Sequence, residues 1–124
     1  MATAKIGINI DLSDLGGGIQ PRKHIWEDST APETAVHIPS MQQETADVAE
    51  VVPIGSIDDV DGIWIRAIEN DVLVDTSFVS TFNSEIIIKE GTSQFFCPSG
   101  TVYFKNSVAA ELVTIELICY GEQD

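Results

Sequence analysis

The chain has 124 residues, 44% of them hydrophobic, with 20 acidic side chains against 6 basic ones and a formal net charge of −14. That is the length of one domain and a composition in the globular rather than the disordered range. So acidic a surface argues against direct DNA or RNA binding, which needs cations to displace the counterions of phosphate, and no apolar run approaches the roughly 18 residues of a membrane-spanning helix.

Met1 to Lys5 carry no apolar leader core, so a soluble protein made in the cytoplasm is expected. Ile6, Ile8, Ile10 and Leu12 then alternate with polar or small residues, a period of two that predicts a strand over 5–12. Gly16-Gly17-Gly18 breaks the chain; without a following Lys-Ser/Thr pair it is a flexible joint rather than a phosphate loop. From Ile19 to Asp47 the sequence is polar, with prolines at 21, 32 and 39. Ile25, Trp26, Val36, Ile38 and Met41 are nevertheless spaced through it, and a solvated linker rarely carries a tryptophan. Residues 1–47 therefore read as an extended N-terminal arm with one strand; its polar segment is either disordered or, as the spaced apolar residues favour, ordered on a partner, about 40 residues being able to reach on the order of 130 Å.

From Val48 onward, short β-branched and aromatic runs alternate with turn signals. Strands are expected over Val48–Ile54, Ile63–Ile68, Val72–Asp75, Ser84–Lys89, Gln94–Cys97, Thr101–Lys105 and Glu111–Tyr120, with a turn at Asp58–Gly62. In the last strand Val113, Ile115, Leu117 and Cys119 form one wholly apolar face, the expected core side. Residues 48–124 are thus expected to fold as an all-β antiparallel sandwich, jelly-roll-like or Ig-like. A body this small is marginal by itself, so a strand added from the arm and contacts with sister copies are expected to complete it.

No arrangement of residues predicts catalysis, a cofactor or a metal. Asp58-Asp59-Val60-Asp61-Gly62 has Ile57 and Ile63 where calcium ligands would fall. Cys97, Cys119, His24 and His37 lack zinc spacing, and both cysteines are expected as buried thiols. The aromatic residues are assigned mostly to the core. Trp64 is the exception, because it lies opposite the Ile63/Ile65 face.

The order Gly62-Ile-Trp-Ile-Arg-Ala67, Phe82, Ile86-Ile-Ile-Lys-Glu-Gly91, Phe95-Phe96-Cys97-Pro98, Val102-Tyr-Phe-Lys105 and Val113 to Tyr120 resembles the small β-sandwich virion proteins of tailed bacteriophages. The resemblance covers about residues 60–121. It implies a non-enzymatic structural protein in the virion: a homo-oligomeric capsid decoration or cement protein beside the major capsid protein, or a tail, collar or neck component. A carbohydrate- or receptor-binding β module is the alternative. No nucleic acid or membrane partner is expected. Ile6, Ile8, Ile10, Leu12, Ile25, Trp26 and Trp64 are the expected partner-interface residues.

Overall fold

A computed structural model describes residues 4–11, 23–30 and 34–123 of the chain. The elements are β1 (Ala4–Asp11), β2 (Lys23–Thr30), β3 (Thr34–Gln42), β4 (Glu50–Val51), β5 (Asp59–Glu69), β6 (Val72–Phe78), β7 (Ile86–Ile88), β8 (Ser93–Phe96), β9 (Thr101–Asn106) and β10 (Thr114–Glu122). They fall into two units, 1–32 and 33–124.

The N-terminal unit is a two-stranded antiparallel ribbon of β1 and β2. Its register pairs Ile6 with Asp28, Ile8 with Trp26 and Ile10 with His24, which puts Ile6, Ile8, Ile10 and Trp26 at positions of one face. The expected first strand is therefore present over Ala4–Asp11. Leu12 and the Gly16–Gly18 joint lie outside the described residues. The segment 23–30, expected to lack secondary structure, is a strand and supplies the partner for β1.

The second unit is the expected sandwich. One sheet has the order β3-β10-β5-β8 and the other β4-β9-β6-β7, all neighbours antiparallel. Alternation builds the core. Ile63, Ile65 and Ala67 of β5 and Ile115, Leu117 and Cys119 of β10 point inward from the first sheet. Val72 and Val74 of β6, Ile88 of β7, and Val102 and Phe104 of β9 meet them from the second. The apolar face expected over Val113–Cys119 is fully buried.

The expected arm ends earlier than residue 47. Thr34–Gln42 is a strand of the sandwich, hydrogen-bonded along β10, with Val36, Ile38 and Met41 packed on the core. Between the pairs Leu117–Ile38 and Ile115–Met41 β3 advances one residue more than β10. The bulge at Pro39-Ser40 shifts Met41 out of step, so this strand shows no clean period of two. Residues 43–48 are fixed by a polar plug. The buried Gln43 donates through Nε2 to the Val48 carbonyl (2.9 Å) and to Asn106 Oδ1 (3.1 Å). Asn106 donates through Nδ2 to Asp47 Oδ1 (2.8 Å) and the Val108 carbonyl (2.7 Å). Asp47 in turn accepts from the Ala110 N–H, and the Asn106 amide holds its carboxyl below the usual range.

Two other expectations are corrected. Val48–Ile54 contributes only the two-residue β4 before Pro53. Asp58–Gly62 is not a turn: the turn comes earlier, at Gly55-Ser56, and β5 starts at Asp59. Pairing with β10 draws this segment into the sheet, and Gly121 makes that possible, because a Cβ there would overlap the Asp59 carbonyl.

Candidate functional site

The outer face of the β3-β10-β5-β8 sheet gathers the most chemistry among the described residues. Its residues are those that alternate with the core positions. The register lines up Phe95, Trp64, Ile118 and His37 across all four strands. One step along the strands stand Tyr120 and Gly62; on the other side stand Ser93, Arg66 and Glu116. Ile118 is exposed, and Trp64, Phe95 and Tyr120 are half-buried.

Gly62 shapes the apolar half. A Cβ at this position would lie 2.8 Å from Cζ of both Phe95 and Tyr120, so the two ring ends occupy the space a side chain would take. The rings lie within 13° of parallel, with centroids 6.4 Å apart. That separation is too long for a face-to-face sandwich, so they are displaced along their planes. The polar half is a three-strand bridge. Glu116 on β10 accepts from His37 Nε2 on β3 (2.9 Å) and from Arg66 Nε on β5 (3.2 Å). The His37 hydrogen bond, with Arg66 beside it, holds the Glu116 carboxyl below its ordinary value.

Of the residues expected at a partner interface, Trp64 lies on this outer face. Ile6, Ile8, Ile10, Ile25 and Trp26 lie in the ribbon of the other unit, and Leu12 is outside the described residues. Phe95 and Tyr120, two of the aromatic residues for which the sequence mostly favours the core, flank Trp64. The signal for this was present: Tyr120 follows the inward Cys119, and of the neighbours Phe95 and Phe96 only one can face in. Phe78 and Tyr103 also leave the core, stacking on each other with centroids 3.7 Å apart, and among the described residues Phe104 is the fully buried aromatic one.

No family model, curated protein or solved structure matches the chain.

Elsewhere the chemistry is sparser. A cavity of about 280 Å³ opens between Val52, Ile54, Asp58, Asp59, Thr101 and Val102. Among the described residues no three His, Cys, Asp or Glu side chains converge as a metal set. Cys119 is buried, and burial pushes its thiol up. Cys97, expected to be buried as well, is exposed because β8 ends at Phe96 before Pro98. The buried Asp75 faces away from its core neighbour Val74. Burial pushes its carboxyl up, but the N–H groups of Ser77 (3.0 Å) and Asn83 (2.9 Å) donate to it and prevail, leaving it below the usual range.

Proposed function

We propose that the chain is a non-enzymatic structural protein that works as one copy in a homo-oligomeric assembly. The resemblance of residues 60–121 to small phage β-sandwich proteins suggests the kind of assembly: a virion, with the chain as a capsid decoration protein or a tail or neck component. The observation that carries the reading is the N-terminal ribbon. Its register sets Ile6, Ile8, Ile10 and Trp26 at positions of one face of only two strands. A two-stranded ribbon is marginal in water, and the apolar positions of that face, which the register shares with His24 and Asp28, gain stability by being covered. The charge distribution fits this role. Residues 1–32 hold three of the six basic residues and four of the twenty acidic ones, so they carry −1 of the −14 total. The ribbon is therefore the part of the molecule that another acidic copy repels least.

Sedimentation of the full chain and of a form lacking residues 1–32 tests the proposal. The full chain is expected as a discrete oligomer, and the shortened form as a folded monomer. A monomeric full chain across the micromolar range, or a shortened form that assembles equally well, refutes it.

A further inference from the structure

We propose that the outer face of the β3-β10-β5-β8 sheet binds a neutral oligosaccharide, with Trp64, Phe95 and Tyr120 as the stacking platform and the His37–Glu116–Arg66 bridge as the polar rim. The site belongs to residues 33–124 and does not rest on the assembly reading.

The geometry supplies both halves of such a site. Trp64 sits between Phe95 and Ile118 in one cross-strand row, with Tyr120 and Gly62 on one side and Arg66 and Glu116 on the other. Rows two residues apart on a strand are separated by about 7 Å, so the three rows from Tyr120 to Glu116 extend over about 14 Å, the length of a short oligosaccharide. The convergence of two rings over Gly62 makes the apolar half broad rather than knobbed. A pyranose has the matching form: weakly polar C–H faces that pack on aromatic rings, and a girdle of hydroxyls that donate and accept. Glu116 offers carboxylate acceptors at the edge. Arg66, whose Nε is committed to Glu116, carries two further nitrogens on a side chain 47% exposed. Apolar surface with a few placed polar groups is the usual make-up of a small-molecule site.

Charge decides the class of ligand. Residues 33–124 carry 16 acidic and 3 basic side chains, a net −13, which disfavours a second copy and any anionic glycan or nucleic acid. Within that surface the bridge is locally balanced, one arginine against one glutamate, which suits an uncharged ligand that brings its own hydroxyls.

Amide NMR of the full chain, titrated to millimolar concentrations with maltohexaose, cellohexaose and chitohexaose, tests the proposal. At least one of the three is expected to shift the resonances of Trp64, Phe95, Arg66 and Tyr120, including the Trp64 indole N–H. Trp64→Ala is expected to weaken binding at least tenfold. Phe95→Leu, which keeps apolar volume, and Arg66→Ala, which alters an exposed side chain, are expected to weaken it while leaving the amide spectrum dispersed. Sedimentation of these variants should match the parent, which separates this site from the assembly surface. No shift with any of the three sugars, shifts elsewhere on the chain, or undiminished affinity in the folded variants overturns the proposal.

Discussion

Two glycines in neighbouring rows of the same strand pair should respond very differently to one added methyl group. At Gly62 the new Cβ meets the far ends of the Phe95 and Tyr120 rings at 2.8 Å, and both rings can swing outward into solvent. That movement gives up part of a ring pair, about 1 kcal/mol, against a gain of about 0.5–1 kcal/mol from replacing glycine in a strand. Gly62→Ala should therefore cost no more than about 1 kcal/mol. At Gly121 the Cβ would overlap the backbone carbonyl of Asp59 and come within 2.9 Å of the buried Ile57 Cγ2. Neither neighbour can leave without parting β5 from β10. One or two ladder hydrogen bonds, at about 1 kcal/mol each, and forced repacking of about 1–3 kcal/mol are then lost together. We expect Gly121→Ala to cost about 3 kcal/mol. With a urea dependence of about 1.5 kcal/mol per molar for a body of this size, the unfolding midpoint should fall by about 2 M, against less than about 1 M for Gly62→Ala. Equal midpoints for the two variants, or a shift for Gly121→Ala within about 0.5 M of the parent, would refute the reasoning.

The remaining predictions concern the carboxylates. Asp75→Asn turns an amide N–H toward one of the two backbone donors now satisfied by the carboxylate. It should cost about 2 kcal/mol in urea unfolding and speed hydrogen exchange at Ser77 and Asn83; unchanged exchange at both amides would contradict the role given to Asp75. Asp47, Asp71, Asp75 and Glu116 all have carboxyls held below their ordinary values. They bind protons less readily folded than unfolded, so their contribution is complete above about pH 5 and drains away as the pH falls through the depressed values. The urea midpoint should accordingly be lower at pH 3 than at pH 7, and a midpoint that holds or rises would overturn this.

The strands with a clean period of two were legible from sequence. β10 and the centre of β5 carry uninterrupted alternation, and their inward residues are the ones found buried. Where a bulge breaks the period, the signal fails. The extra residue beside Pro39 hid β3, and Gln43, whose burial depends on Asn106 sixty-three positions later, could not be recognised as an interior residue from its neighbours. β2 carries no signal for another reason: its only apolar residues, Ile25 and Trp26, are adjacent, so no alternation marks it. The candidate site was legible in part. Trp64 announced itself by facing away from Ile63 and Ile65, but its grouping with Phe95 and Tyr120 depends on strand order and register, which no local pattern encodes.

The borders of the sandwich resist an added strand. β3 carries Pro39 at its bulge, β8 is followed two residues later by Pro98, and β4 and β7 have two and three residues. A foreign chain laid along any of these margins would find a missing donor, a kink or too few rungs to hold it. Growth by endless addition of strands is thereby discouraged, so the open edges of the two sheets make poor seeds for a fibre.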